Sequence, residues 1–247
     1  MQITFEQIFK HSDILNPLSP TTLLSAGKVG QMTPGKSLLD LGSGKGYPSL
    51  LWASAFGVRV KGVDFNQTFV DYANSRAKLL NLSNKAEYLH QDLKDFATAS
   101  RYDIVAALGL DLNGIYGGRV KALQRFRTML KSGGVLILAE PIWLRKPVPS
   151  DVLEALRIKE DDFVTVPQMK KLTRELGFEE RKHFISSKED WDLYVRPLYI
   201  SLQEIIAEEP ELTKEAQRFI HGFETEYDAA GKFWNMALWA LKQAQET

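Results

Sequence analysis

Three glycines at alternate positions, Gly42, Gly44 and Gly46, follow one aspartate, Asp40, and lie a strand–helix–strand length before another, Asp64. Glycines without Cβ let a loop approach a ligand closely. The free N–H groups of a following helix's first turn favour electron-rich ligand groups. An aspartate at the tip of the adjacent parallel strand can accept hydrogen bonds from the two vicinal hydroxyls of a ribose. This combination reads as a nucleoside-binding unit. The dinucleotide fingerprint spaces its glycines G-x-G-x-x-G, whereas this loop is G-x-G-x-G with Asp40 two residues ahead. A carboxylate under the loop suits a ligand carrying an ammonium group and repels a pyrophosphate.

The elements that position these residues follow from the local pattern. Ser37 to Leu41 is a short apolar run, and the stretch after Gly46 has helical spacing. Pro48 fits the first turn of that helix and Gly57 fits just past its end. A second strand, Val58 to Val63, then closes on Asp64.

Asp-Leu-Gly-Ser-Gly-Lys-Gly, residues 40–46, resembles motif I of the class I S-adenosylmethionine (SAM) methyltransferases. The resemblance extends from Leu38 to roughly Pro141. Asp64 stands where that family holds the ribose, and His90-Gln91-Asp92 ends a third strand where it holds the adenine amino group. Tyr102 to Leu108 and Gly134 to Glu140 match its fourth and fifth strands. The resemblance implies an α/β fold: a Rossmann-like three-layer sandwich whose mostly parallel, seven-stranded sheet ends in an antiparallel strand seven. It also implies SAM as cofactor, held by Asp40, Gly42, Ser43, Gly44, Gly46, Asp64, Phe65, Asp92, Leu93 and Gly109. Asp92 has a second reading, as N-cap of a short helix through Phe96. Glu140-Pro141-Ile142-Trp143 resembles a signature of bacterial small-molecule methyltransferases. No Asp/Asn-Pro-Pro-Tyr motif follows the fourth strand, which argues against adenine-N6 chemistry.

The expected organisation is a single domain over 1–247: an N-terminal helical arm (1–35), a core (36–185), a helical lid insertion (186–232) and a final strand (233–247). Ser19-Pro20 opens a helix, and Phe178 to Ile185 is a sixth strand. Two amphipathic stripes follow. Trp191, Tyr194, Val195, Leu198, Leu202, Ile205 and Ile206 form one, with Pro197 as an interruption; Leu212, Ala216, Phe219, Phe223 and Tyr227 form the other. They read as two helices between strands six and seven, packing over the active-site end of the sheet. Trp234 to Leu241 reads as strand seven, with a terminal helix as the alternative.

Substrate-side candidates are Asn16, Asp111, Tyr116, Trp143, Trp191 and Tyr194. All but Tyr116 have a bland counterpart: a covering arm for Asn16, a turn for Asp111, a strand-terminating turn with Trp143 packed beneath the lid, and an inter-helix core for Trp191 and Tyr194. In-line transfer from a sulfonium makes no catalytic side chain obligatory, but a protonated acceptor needs a base. Glu140, His11 and His183 are the candidates, in that order.

Composition narrows the classes. Lys plus Arg equals Asp plus Glu at 31 each, so there is no global basic field to gather nucleic acid. With no cysteine there is no disulfide, thiolate metal site or thiol nucleophile, and no metal is expected. No window approaches the ~18 apolar residues of a membrane span, and the N-terminus lacks a basic-then-apolar leader. A cytoplasmic protein acting on a small molecule, as monomer or homodimer, is the expectation. Gly30 to Ser37 matches G-x-x-x-x-G-K-S, but it follows a helix and leads into a strand, the reverse of a phosphate-binding loop. Two alternatives stand beside the methyltransferase: a SAM-binding module without catalysis, and an NAD(P)-dependent reductase. The glycine spacing, Asp40 and the lack of a Tyr-x-x-x-Lys pair oppose the reductase.

Overall fold

The computed structural model describes residues 2–244. In chain order the elements are α1 (Phe5–Ile8), α2 (Pro20–Val29), β1 (Ser37–Leu41), α3 (Tyr47–Phe56), β2 (Arg59–Asp64), α4 (Gln67–Leu79) and β3 (Ala86–His90). Then come β4 (Tyr102–Leu108), α5 (Leu112–Tyr116), α6 (Arg119–Met129), β5 (Leu130–Trp143), α7 (Ser150–Leu156) and β6 (Val164–Thr165). The chain ends with α8 (Val166–Glu175), β7 (Phe178–Ile185), α9 (Lys188–Glu208), α10 (Thr213–Ala229) and β8 (Trp234–Gln243). Residue 1 of the expected arm and residues 245–247 of the expected final strand lie outside the described residues.

The chain divides into two compact units. A sheet unit holds Pro20–Glu140, Pro167–Ile185 and the chain from Ala237 on; a helical unit holds the chain up to Ser19, Pro141–Val166 and Ser186–Met236.

In the sheet unit the strand order is β3-β2-β1-β4-β5-β8-β7. β1 pairs in parallel with β2 and β4, β2 with β3, and β4 with β5, while β7 and β8 run antiparallel. Parallel strands covered on both faces need continuous apolar runs, and Leu38, Leu39, Leu41, Ile104, Val105, Leu136, Ile137 and Leu138 supply them, all fully buried. The register sets Leu41 level with Val63 and with Ala107, so the carboxyl ends of β1, β2 and β4 align. The αL residue Gly57 caps α3, and the Asn66 side chain accepts the Phe69 N–H to cap α4.

Three expectations are corrected. The sheet has eight strands, because the two-residue β6 pairs with Ile142 and Trp143 at the end of β5. The expected strands six and seven are therefore β7 and β8. β8 is a strand and not the alternative terminal helix, since its apolar run is buried along nearly its whole length between β5 and β7. Pro197 does not interrupt α9, which runs unbroken for 21 residues.

In the helical unit, Ser187 and Asp190 form a capping box at the start of α9. Asp190 Oδ1 also accepts the Ser19 N–H at 2.7 Å, tying the arm to the helix. The core joins Trp143, Val148, Trp191, Val195 and Trp234. Its rings form a chain: Trp143 to Phe163 at 5.0 Å, Phe163 to Trp234 at 5.8 Å, and Trp234 edge-on to Trp191 at 5.2 Å. No helix among the described residues is long and apolar enough to cross a membrane.

Candidate active site

The glycine loop springs from the aligned strand ends of the sheet unit. The N–H groups of Gly42 and Ser43 donate to Val63 O at 2.8 and 3.1 Å, and the Gly44 N–H donates to Asp64 Oδ2 at 2.7 Å. Asp64 Oδ1 accepts the Asn66 N–H at 2.9 Å. Gly42 has φ +67°, and a Cβ there would come within 2.2 Å of Leu110. Under the loop, the Tyr88 hydroxyl lies 2.9 Å from Ser49 Oγ and donates to Gly46 O at 3.3 Å.

Asp40 is 2% exposed, and its Oδ2 has no hydrogen-bond partner among the described residues. Ser43 Oγ is likewise buried and unpartnered. Buried polar atoms are rarely left so. Burial pushes the Asp40 carboxyl up to about 7, the Ser49 hydroxyl opposing the rise and the charge of Asp64 adding to it. Burial also raises the Asp64 carboxyl, against the N–H groups of Asn66, Gly44 and Phe65.

These residues fit SAM. An ammonium group supplies a donor to the unpartnered Asp40 Oδ2. The Asn66, Gly44 and Phe65 N–H groups take at most three of the roughly four lone-pair sites of the Asp64 carboxylate, which leaves room for a ribose hydroxyl. A diphosphate would bring further negative charge against two buried acids.

The other expected cofactor residues lie in the same unit. Phe65, directly after Asp64, is 70% exposed, an apolar face left in solvent beside the Asp64 carboxylate. Leu93 is buried. Asp92 starts a turn and not the alternative helix, its Oδ1 accepting the Lys94 N–H at 2.9 Å. Gly109 directly follows β4 with φ +74° and donates to Ala139 O at 3.0 Å.

Residues 38–134 match the family model described as a methyltransferase domain. A SAM-dependent methyltransferase of Thiobacillus denitrificans, solved with S-adenosylhomocysteine, superposes with TM-score 0.87 at 26% identity, over 98% of this chain and 100% of the other. The counterpart from Geobacter sulfurreducens, also with S-adenosylhomocysteine, gives TM-score 0.89 at 24% identity, over 98% and 99%. The fold is that of the class I methyltransferases. Among curated relatives, the Escherichia coli protein YjhP is 28% identical over 80% of this chain and 79% of its own.

On this methyltransferase fold, Glu140 stands at the carboxyl side of β5, 3% exposed. Its Oε2 accepts from Arg119 Nε at 3.0 Å. Burial pushes the Glu140 carboxyl up to about 7; Arg119 opposes the rise and Asp111 adds to it. Asp111 caps α5, its Oδ1 accepting the Gly114 N–H at 2.9 Å, and so fills its turn-forming role as well. Tyr116 packs edge-on against Phe126 at 5.2 Å, and burial raises its hydroxyl to about 12.

The remaining candidates are engaged elsewhere. His183 is on the edge strand β7, its Nδ1 2.8 Å from Glu180 Oε1 and its ring stacked on Trp239. His11, in the helical unit, is exposed with Nε2 2.8 Å from Glu204 Oε2. Asn16 lies in the arm, its carbonyl accepting the Leu18 N–H. Trp143 donates its indole N–H to Glu160 O at 2.8 Å and Trp191 donates to Asn235 Oδ1 at 2.9 Å, both within the aromatic core. Tyr194 is 6.0 Å from Trp191, its hydroxyl raised by burial and by Glu226. Arg119 had no sequence signal, because its partner is 21 residues away and on another element.

Proposed function

We propose that the protein is a SAM-dependent methyltransferase that methylates a small molecule. The observation carrying this reading is the unpartnered Oδ2 of the buried Asp40, beneath a glycine loop that is itself tied to Asp64. The similar Thiobacillus and Geobacter proteins, both solved with the demethylated cofactor, support the choice of SAM. The even balance of charges supports a small acceptor over nucleic acid.

The cofactor would bring a methyl group on a sulfonium, a leaving group that needs no further activation. The chain's share is placement. Asp40 and Ser43 would hold the amino-acid end, Asp64 the ribose, and Phe65, Asp92 and Leu93 the adenine side. Gly109, directly after β4, and Glu140, near the carboxyl end of the neighbouring β5, would border the side of the site where the acceptor meets the methyl. Holding the reacting atoms at about 3 to 3.5 Å and keeping water out can lower the barrier by several kcal/mol.

The test is incubation with methyl-labelled SAM and a fractionated metabolite extract. Label should appear in a low-mass product. Cofactor binding without label transfer would leave only a SAM-binding module.

A further inference from the structure

Near the carboxyl end of β5, Glu140 carries a carboxylate with one oxygen fixed and one free. Glu140 is nearly sealed from solvent, Arg119 Nε binds Oε2, and Oε1 takes no hydrogen bond among the described residues. Oε1 is not among the fully buried unpartnered atoms, so this oxygen keeps a small opening through which a ligand's N–H or O–H can reach it. Arg119 is only 16% exposed and comes from the first turn of α6, right after Gly117-Gly118. It fixes the orientation of Glu140 without occupying its second oxygen. The charged groups around Glu140 are Arg119 on α6 and Asp111 at the start of α5. Together the three carry one net negative charge when ionised.

Resting on the proposed methyltransferase reading, we propose that Glu140 is the general base and that the acceptor is therefore a protic amine or hydroxyl, with Arg119 as a positioning residue. The acceptor's lone pair forms the new bond to the methyl carbon and the carbon–sulfur electron pair departs with the thioether product. The acceptor's proton ends on Glu140 Oε1. No oxidant or further co-reactant is needed. An acceptor without a removable proton, such as a thioether, has no use for this carboxylate. The net negative charge favours a cationic amine over an acid. A base whose carboxyl titrates near neutrality, as burial makes Glu140 do, is half-ionised at physiological pH and matched to such a proton.

Two measurements on the full chain test this. Carboxyl carbon NMR of glutamate-labelled protein, with Glu140→Gln to assign the signal, should show Glu140 titrating near pH 7, and Arg119→Gln should move that midpoint upward. In the labelled-SAM assay with extract, Glu140→Gln should lose roughly 100-fold or more in transfer. Its S-adenosylhomocysteine affinity should stay within about threefold of wild type, and Glu140→Asp should recover part of the rate. Wild-type transfer by Glu140→Gln overturns this assignment alone, as does a Glu140 carboxyl ionised throughout pH 5 to 9. Parallel loss of cofactor affinity and transfer makes Glu140 structural and also overturns it. No transfer by the wild type removes the methyltransferase reading, and this proposal with it.

Discussion

The backbone N–H of Gly44 donates to Oδ2 of Asp64 across 2.7 Å, so the glycine loop and the carboxylate at the tip of β2 form one hydrogen-bonded piece. Removing that carboxylate takes away the proposed ribose acceptor and frees the loop together. Asp64→Ala should weaken S-adenosylhomocysteine binding by about 10- to 100-fold, the loss of a charge-assisted hydrogen bond. Titration calorimetry checks it; unchanged affinity would place the ribose elsewhere.

On the proposed reading, Asp40 trades stability for binding. Its folded-state carboxyl sits at about 7, above the ordinary 3.8, so the folded protein holds this proton more tightly than the unfolded chain. Stability from this group is full below about pH 4 and is lost as the pH rises to about 7. Asp40→Asn should therefore gain stability over the wild type at pH 8, on the order of a few kcal/mol, while binding S-adenosylhomocysteine at least about tenfold more weakly. Thermal melts from pH 5 to 8 read the first effect. The wild-type slope should flatten only in part, because Glu140 titrates in the same window. A variant less stable than wild type at pH 8 contradicts the assignment.

Gly62 and Gly222 should respond to alanine in opposite directions. A Cβ on Gly62 would meet the Tyr88 ring at 2.2 Å, and Tyr88 supports the loop through Gly46 O and Ser49. Overpacking of this kind costs about 1–3 kcal/mol, a Tm drop of several degrees for a chain of this size. Gly222 lies inside α10 with nothing within 4 Å of its Cβ position. Gly222→Ala should raise the Tm slightly, by up to ~1 kcal/mol of stability. Calorimetric melts separate the pair.

Asn235 is the polar hub of the helical unit. Its Oδ1 accepts the Trp191 indole N–H and the Met236 N–H, and its Nδ2 donates to Ser186 O. Asn235→Ala strands three buried groups and should cost about 2–4 kcal/mol. Trp191→Phe with Asn235→Ala should cost less than the sum of the single changes, because the indole donor is already gone. Additive denaturation midpoints would show that the two side chains do not couple.

The glycine spacing and the two aspartates disclosed the βαβ unit, because close backbone approach admits few residue types and fixes their positions. Leu38-Leu39 and Ile104-Val105 disclosed buried parallel strands by the same reasoning, since both faces must be apolar. β6 was illegible: two residues carry no period, and it exists because Ile142 and Trp143 extend β5 far enough to pair with it. The Arg119–Glu140 pair was illegible because it depends on α6 beginning beside the end of β5, a tertiary fact. Trp143, Trp191 and Tyr194 were visible as large apolar residues. Whether such residues face a ligand or one another depends on partners such as Glu160 and Asn235, and no local pattern specifies those.

The most direct test of the account is calorimetric titration of the wild-type protein with S-adenosylhomocysteine, repeated in buffers of different ionisation enthalpy, and with NADP as the competing ligand. The account predicts saturable one-site binding of S-adenosylhomocysteine, proton release near pH 6.5 as the ammonium group ionises Asp40 (which burial holds at about 7), and no heat with NADP. Binding of NADP with no response to S-adenosylhomocysteine would contradict it.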